Sequence, residues 1–280
     1  KDRATERGFC NAGASLTLAR AGLHFWEEPC ISTYGGSGAV FFSGCTLKCI
    51  YCQNDKISRG HTGKEITEKR LREIFDELID QGADNINLVT PSHYADKIAE
   101  ALSKEKLPVP VVYNTSAYEK AETLKMLDGL VDVYLPDYKY ASSDLAKRLS
   151  FAPDYPETAF AAIEEMFRQR GSYTLDEDGL LTSGVLIRHL VLPGFIENTL
   201  DVIDRITSRF DDTQVLFSLM SQYTPPKKEL SIPSLNRRLT EEEYSRTVDY
   251  LYLSGFENGF VQELSSAKEE YTPDFDLSGV

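Results

Sequence analysis

Long apolar runs and concentrated positive charge are both missing from this 280-residue sequence. No apolar stretch approaches the roughly 20 residues that a membrane-spanning helix needs, so the sequence does not predict a membrane protein. Lys and Arg are scattered along the chain, whereas proteins that bind a nucleic-acid backbone usually concentrate them on one face. The net charge of −14 therefore disfavours nucleic acid as a partner and is typical of a soluble surface.

A secretory leader, in which basic residues precede an apolar segment, is also missing. The sequence begins with Lys1 rather than Met, and we expect native residues to precede it. Cysteine is scarce, with five residues that all lie in the first fifth of the chain. An odd number of clustered cysteines in a long chain indicates metal ligation in a reducing compartment rather than a disulfide framework. We therefore predict a cytoplasmic protein.

Segments of strand length alternate with segments of helical periodicity along most of the chain. We assign residues 1–38, rich in Gly, Ala and Ser, as an N-terminal extension and residues 39–280 as the main domain with a C-terminal tail. Strands are predicted at 39–42, 85–89, 109–113, 131–135, 184–192 and 214–219. Helices are predicted at 66–81, from a Ser92 cap to 102, and at 117–127, 144–149, 155–170, 200–210 and 241–254.

This alternation predicts an α/β fold with a parallel sheet and crossover helices, either a barrel or an open doubly wound sheet. In both architectures ligands bind at the C-terminal ends of the strands. The residues that directly follow each strand are therefore the candidate site residues.

Three cysteines follow the first predicted strand in the spacing Cys45-x3-Cys49-x2-Cys52. Three thiolates on one tight loop can bind three irons of a cubane and leave the fourth iron open to an outside ligand. A zinc site normally needs four protein ligands, and the nearest histidine, His61, lies outside a typical zinc spacing. The four-cysteine ferredoxin patterns are not met either. A zinc loop and three structural thiols are the alternatives.

The cysteine spacing, with Tyr51 directly before the last cysteine, resembles the signature of the radical S-adenosylmethionine (SAM) superfamily. The resemblance implies a partial (β/α)6 barrel of the TIM type and a [4Fe–4S] cluster on Cys45, Cys49 and Cys52. It also implies that SAM chelates the open iron and is cleaved reductively to a 5′-deoxyadenosyl radical, which abstracts hydrogen from a substrate. Tyr51 would then lie near the adenine of SAM.

The segments 43–45, 52–54, 188–194 and 271–276 are similar to those of pyruvate formate-lyase activating enzymes. This narrower resemblance implies an oxygen-sensitive oxidoreductase that activates a glycyl-radical protein and takes electrons from a donor of the flavodoxin or ferredoxin type. A small molecule, a peptide or an RNA is the alternative substrate. A non-catalytic iron–sulfur protein is the alternative from another functional class.

After the second predicted strand the family carries a Gly-Gly-Glu type motif that meets the amino group of SAM. This chain has Thr90-Pro91-Ser92-His93 there, and the hydroxyls of Thr90 and Ser92 can accept from an ammonium instead. His93 either acts on the substrate or faces solvent at the start of a helix.

The residues after the third and fourth strands match positions that hold a monovalent cation and the SAM carboxylate in glycyl-radical activating enzymes. Asn114, Thr115 and Asp137 supply oxygens that suit a hard cation, and Lys139 can pair with a carboxylate. The alternative is that Asn114 and Asp137 cap turns, as these residue types often do.

Arg188 and His189 lie on opposite faces of the fifth predicted strand, so only one of them can face the barrel interior. The resemblance favours Arg188 as a SAM contact and leaves His189 as a hydrogen-bonded core residue. Gln222, after the sixth strand, is assigned to the ribose or carboxylate of SAM, with a plain loop amide as the alternative.

Cys10 and Cys30 lie apart from the cysteine loop and from each other. We interpret Cys30 as a small apolar core residue. The alternative is that both cysteines ligate a second metal together with residues upstream of Lys1.

Overall fold

The computed structural model describes residues 8–10, 12–60, 62–266 and 273–280. His61, and Tyr271 and Thr272 of the predicted tail motif, lie outside the described residues. The strands are β1 (Leu16–His24), β2 (Ser37–Phe42), β3 (Lys64–Ile66), β4 (Asn85–Val89), β5 (Val111–Thr115), β6 (Val133–Pro136), β7 (Thr174–Leu175), β8 (Leu181–Leu190), β9 (Leu216–Met220) and β10 (Gly259–Val261). The helices are α1 (Asp55–Ser58), α2 (Glu68–Asp80), α3 (Ala95–Leu102), α4 (Ala121–Leu124), α5 (Ser143–Ser150), α6 (Tyr155–Arg170), α7 (Ile196–Thr207) and α8 (Glu241–Leu253).

One mixed sheet joins these strands in the order β10-β9-β8-β6-β5-β4-β2-β1-β3, and β7 pairs with β8 at its side. From β2 to β10 along this order every pairing is parallel, and helices connect successive strands. The sheet is open and resembles part of a barrel, so the predicted fold class is confirmed. The C-terminal ends of these parallel strands consequently lie at the same edge, where parallel sheets bind ligands.

The helices form where the predicted apolar periodicity has a sheet to cover. In α2, Leu71, Ile74, Phe75 and Leu78 are buried on one face, and the Thr67 side chain accepts from the Arg70 N–H to cap the first turn. This pattern is what an amphipathic surface helix requires.

Two helix starts differ from the prediction. Ser92 does not cap a helix, because Ser92–Tyr94 forms a 3-10 turn of its own and α3 begins only at Ala95. The Ser92 side chain is buried, and its hydroxyl has no hydrogen-bond partner among the residues that the structure describes. The helix predicted from residue 117 begins at Ala121, because Ala117 has a φ of 57°, outside the helical range.

Strand β1 lies within the predicted extension and pairs antiparallel with both β2 and β3. The segment between β1 and β2 enters the barrel at the N-terminal ends of the strands. There Cys30 and Ile31 form the apolar floor of the barrel. They pack against apolar side chains of the sheet, namely Val112, Val133, Leu135, Leu181, Leu186 and Leu216. Cys30 is 3% exposed, as expected for a core residue, and burial raises the pKa of its thiol to about 12. Among the described residues, no helix is both long enough and apolar enough to cross a membrane.

Candidate active site

The cysteine loop leaves β2 through Gly44, which has a φ of 94°. A Cβ at this position would lie 2.7 Å from the carbonyl oxygen of Cys10, so the close approach of the two backbones requires glycine. The Gly44 N–H donates to the Ile57 carbonyl, and the Ile50 N–H donates to the Leu149 carbonyl, both at 2.9 Å. The loop is therefore fixed against α1 on one side and the end of α5 on the other.

The thiols of Cys45, Cys49 and Cys52 line one cavity. Burial, together with the neighbouring Cys49 and Cys52 thiols, raises the pKa of Cys45 to about 12. Burial and Cys49 also raise the pKa of Cys52. Thiols that are this crowded ionise only when a cation replaces their protons, and a metal does so. Donors near the sulfurs include the Leu47 N–H for Cys45 (3.4 Å), the Ser150 hydroxyl for Cys49 (3.0 Å) and the Ser58 hydroxyl for Cys52 (3.4 Å).

The three cysteines line one cavity from a single loop. Within residues 8–10, 12–60, 62–266 and 273–280, no three Cys, His, Asp or Glu side chains are grouped closely enough to hold a single metal ion. A cubane takes one thiolate on each of three irons, so it requires sulfurs that are spread apart. The donor set therefore fits an iron–sulfur cluster.

The cavity has a volume of about 260 Å³ and lies at the C-terminal ends of the strands. Most of the residues selected from the sequence line it, while Ser92 does not. Those that do are Cys45, Cys49, Tyr51, Cys52, Thr90, Asn114, Thr115, Asp137, Lys139, Arg188 and Gln222.

Asp137 is the centre of a charged network at the ends of β5, β6 and β8. Its carboxylate accepts from Lys139 at 2.7 Å and from Arg188 at 3.0 Å. Arg188 also donates to the Asn114 side-chain oxygen at 2.6 Å. Burial alone would raise the pKa of Asp137, but the charges of Arg188 and Lys139 outweigh it and hold the pKa below its usual range. The carboxylate is therefore ionised.

Two residues that sequence reasoning missed hold this network in place. The Tyr155 hydroxyl accepts from the Lys139 N–H at 2.9 Å and donates to the Asp137 carbonyl at 2.6 Å. The Asn198 side chain on α7 donates to the Lys139 carbonyl at 3.0 Å. Neither residue follows a strand directly, so the rule of searching strand ends could not find them.

Glu27, which was not predicted from the sequence as a site residue, lines the cavity from the segment between β1 and β2. Its carboxylate accepts from Asn87 at 2.8 Å and lies 3.7 Å from Arg188. Burial raises its pKa, although Arg188 and Asn87 oppose the shift. Next to it, Glu28 is buried and accepts from the Ser218 hydroxyl at 2.8 Å. The cavity lining is therefore acidic as well as basic.

Two other predicted contacts have notable local geometry. Thr90 ends β4 with a φ of 59°, which is strained for a β-branched residue and is often found at functional sites. The Thr115 hydroxyl donates to the buried Glu119 at 2.6 Å and accepts from the Ala117 N–H at 3.2 Å. Thr115 therefore lines the cavity, but its hydroxyl is already hydrogen-bonded to Glu119 and to the Ala117 N–H.

His189 and His93 are both buried. His189 is fully buried, and its ring nitrogens lie 2.7 Å from the Tyr138 carbonyl and 3.0 Å from the Thr199 hydroxyl, so it is the hydrogen-bonded core residue that was predicted. His93 is 2% exposed and lies 2.8 Å from the Ser43 carbonyl. The expectation that it faces solvent is wrong, because Ser92–Tyr94 turns inward under the cysteine loop.

Gln222 and Tyr51 both line the cavity. The Gln222 carbonyl accepts from the Gln53 side chain at 3.2 Å, which ties the end of β9 to the cysteine loop. Tyr51 is 7% exposed, packs against the Tyr223 ring with centroids 6.1 Å apart, and its hydroxyl contacts Tyr140. Both cavity-lining positions are thus fixed by neighbours in the protein.

Solved structures share this fold. Streptococcus suis SuiB bound to S-adenosylmethionine is similar, with a TM-score of 0.52 and 17% identity over 82% of this chain and 51% of SuiB. HydG, a maturase of the [FeFe]-hydrogenase, has a TM-score of 0.50 and 16% identity over 81% of this chain and 52% of HydG. The chain spans about half the length of both structures.

A relative and a family model match in sequence. The uncharacterized protein MJ0674 of Methanocaldococcus jannaschii is 32% identical over 258 residues, which cover 89% of this chain and 70% of that protein. Residues 39–206 match the model described as the radical SAM superfamily. That match spans more than half of the sequence, and the chain therefore belongs to the radical SAM superfamily.

Proposed function

We propose that the chain binds a [4Fe–4S] cluster through Cys45, Cys49 and Cys52, binds SAM beside it, and abstracts hydrogen from a substrate. The observation that carries this proposal is that the three thiols line one cavity together with Asp137 and Arg188. When bound, the cluster supplies the electron that cleaves SAM into methionine and the radical that abstracts hydrogen. The residues of the chain hold and orient the two cofactors.

The charged network suits the amino-acid end of SAM. Asp137 lies between two cations, Lys139 and Arg188, and all three side chains are less than one-fifth exposed. A carboxylate can pair with Lys139 or Arg188, which Asp137 holds in place. Because these groups are preorganised and largely shielded from water, they bind the SAM carboxylate more strongly than exposed charges would.

Uncharged residues would complete the SAM site. Tyr51 presents an aromatic side chain beside the cysteine loop, which suits the adenine. Thr90, Asn114 and Gln222 add hydroxyl and amide groups to the lining, which also includes Thr115. Ser92, which does not line the cavity, is not part of this proposal.

A monovalent cation at Asp137 receives less support. Both Asp137 carboxylate oxygens already accept from cationic side chains, and the Asn114 side-chain oxygen accepts from Arg188. An added cation would have to compete with Lys139 and Arg188 for the same oxygens, so the proposed cofactors are the cluster and SAM.

The proposed substrate is a glycyl residue of a partner protein, and the proposed electron donor is a small carrier of the flavodoxin or ferredoxin type. The support is the similarity of segments 43–45, 52–54 and 188–194 to glycyl-radical activating enzymes. The cysteines and the residues at the strand ends do not by themselves distinguish a glycyl residue from other substrates. Selectivity among C–H bonds comes from how the substrate is positioned.

The test is anaerobic reconstitution with iron and sulfide, reduction with dithionite in the presence of SAM, and detection of 5′-deoxyadenosine by mass spectrometry. We expect the wild-type protein to form 5′-deoxyadenosine. The single substitutions Cys45→Ala, Cys49→Ala and Cys52→Ala should abolish both the cluster absorbance and the product.

Cys30→Ala is the matched control, because Cys30 is buried in the apolar floor and does not line the cavity. This variant should keep both the cluster and the product. A Cys49→Ala protein that still cleaves SAM at the wild-type rate would refute the proposed ligand set.

Deuterium transfer tests the glycyl substrate separately. The reconstituted protein is incubated with SAM and the protein fraction of source cells grown on glycine deuterated at Cα. Deuterium in the recovered 5′-deoxyadenosine would support abstraction from a glycyl residue. Deuterium transfer only from a small-molecule fraction would contradict it and leave the cluster and SAM assignments intact.

A further inference from the structure

Three buried hydroxyl groups form a chain that ends on the sulfur of Cys49. The Tyr51 and Tyr140 hydroxyls are 2.6 Å apart, and the Tyr140 and Ser150 hydroxyls are also 2.6 Å apart. The Ser150 hydroxyl lies 3.0 Å from Cys49 Sγ. All four residues are less than one-tenth exposed, so water does not compete for these contacts.

Backbone pairing fixes the position of Ser150. Ser150 is the last residue of α5, and its carbonyl accepts from the Lys48 N–H while the Leu149 carbonyl accepts from the Ile50 N–H. The end of α5 thus runs alongside the cysteine loop on both sides of Cys49. These backbone hydrogen bonds place the Ser150 side chain against the sulfur of Cys49.

Ligation of iron would fix the direction of every hydrogen bond in the chain. A metal-bound thiolate has no proton and can only accept. Ser150 must then donate to Cys49, so its oxygen accepts from Tyr140. The Tyr140 oxygen in turn accepts from Tyr51. The three bonds point the same way, toward the sulfur, and hydrogen bonds aligned in this way strengthen one another.

Among the three thiols, Cys49 has the shortest contact with a donor. The Leu47 N–H lies 3.4 Å from Cys45 Sγ and the Ser58 hydroxyl lies 3.4 Å from Cys52 Sγ, compared with 3.0 Å for Cys49. The hydroxyl chain therefore acts chiefly on one ligand.

We propose that Tyr51, Tyr140 and Ser150 raise the reduction potential of the bound cluster by hydrogen bonding to its Cys49 ligand. The inference rests on the proposed cluster site. A hydrogen bond to a ligand sulfur draws electron density from it and favours the reduced, more negatively charged cluster. Ser150 and Tyr140 are positioning residues, since they reach the cluster through Cys49.

Single and double variants test this role. Ser150→Ala removes the nearest donor, and Tyr140→Phe removes the next. In Ser150→Ala the Tyr140 hydroxyl loses its acceptor and can donate to Cys49 instead, so the double variant removes both donors. The matched control is Tyr138→Phe, whose fully buried hydroxyl donates to the Pro156 carbonyl instead.

The readout is the midpoint potential of the reconstituted cluster, measured by redox titration with electron paramagnetic resonance and without turnover. We expect a shift to more negative potential in Ser150→Ala, a larger shift in the double variant, and the wild-type value in Tyr138→Phe. Iron content and the Fe–S stretching frequencies in resonance Raman spectra show whether the cluster is intact and whether the Cys49 bond has changed.

Each outcome decides the matter. An unchanged potential in the double variant, with full iron content, would overturn the inference and leave the proposed function standing. An equal shift in Tyr138→Phe would also overturn it, because the effect would then be general to loosened packing. Failure of the wild-type protein to assemble any cluster would overturn the proposed function and this inference together.

Discussion

Arg188 and Asp137 form an ion pair with a separation of 3.0 Å that joins β8 to the end of β6. The backbone reinforces the same junction, because the Tyr138 N–H donates to the Arg188 carbonyl at 2.9 Å. Through Asn114, Arg188 also reaches β5. One guanidinium therefore fixes three strand ends beside the cysteine loop, which explains why a charged residue is tolerated inside the barrel.

Asp137→Asn is predicted to weaken SAM binding at least tenfold, or about 1.4 kcal/mol. The substitution keeps the shape but removes the carboxylate that holds Lys139 and Arg188 in place, so the two cations are no longer fixed for the carboxylate of SAM. Isothermal titration of cluster-loaded protein with SAM measures the change. Iron content should match the wild type, because Asp137 does not contact a thiol.

Asp128→Asn is the control for this experiment, because Asp128 pairs with Arg168 at a half-exposed position away from the cavity. It should bind SAM like the wild type. Since breaking a buried ion pair can cost about 3–5 kcal/mol, the fold of Asp137→Asn is checked by circular dichroism. A folded Asp137→Asn with wild-type SAM affinity would remove Asp137 from the cofactor site.

Tyr155→Phe is predicted to lower SAM affinity severalfold while leaving the iron content unchanged. The lost hydroxyl accepts from the Lys139 N–H and donates to the Asp137 carbonyl, so both backbone groups lose a buried partner. Leaving such groups unpaired costs about 1–3 kcal/mol each. Phe160→Leu changes a ring that packs on Tyr138, the residue on which Tyr155 stacks, so it tests packing and should keep the affinity. If both variants lost affinity equally, the hydroxyl would have no specific positioning role.

The sequence predicted the parallel strands and the cavity lining because both follow from local patterns. Strand segments such as Asn85–Val89 are short, carry aliphatic residues such as Ile86 and Leu88 and are bounded by turns, and the cysteine spacing lies within a few residues. Once the strands are parallel, residues that follow them must lie at one edge. Asn114, Asp137 and Arg188 were therefore brought together by topology.

What the sequence could not predict depends on contacts between distant segments. Strand β1 was missed because its partner β2 begins only after a segment that looks like a flexible turn. Glu27 enters the cavity because that segment turns into the barrel, and nothing local to it distinguishes it from a surface glutamate. Ser150 meets Cys49 across 101 positions of sequence through the register between α5 and the cysteine loop.

Ile31→Ala is predicted to lower the free energy of unfolding by about 2–5 kcal/mol. Ile31 is 4% exposed and packs on the barrel floor, so its truncation leaves a cavity that the sheet cannot fill. Urea denaturation followed by circular dichroism measures the loss. Leu253→Ala, at a side chain that is 86% exposed, should change stability by less than about 0.5 kcal/mol. If Ile31→Ala lowered the free energy of unfolding by less than about 0.5 kcal/mol as well, the segment between β1 and β2 would not close the apolar floor of the barrel.

Glu119→Gln is predicted to change how stability depends on pH. Burial raises the pKa of Glu119 from its ordinary value of 4.5 to about 7, although hydrogen bonds from Thr115 and Tyr113 oppose the shift. Between these values the folded protein holds a proton that the unfolded chain releases, so this residue's contribution to stability falls as pH rises and is lost once pH passes about 7. Glutamine mimics the protonated acid and does not titrate, so the variant should gain about 2–3 kcal/mol relative to the wild type between pH 5 and 8. Urea unfolding of the wild type and the variant at each pH in that range measures the difference between their free energies of unfolding. The contributions of all other titrating groups cancel in this difference. A difference that stays constant with pH would show that Glu119 is ionised in the folded protein throughout.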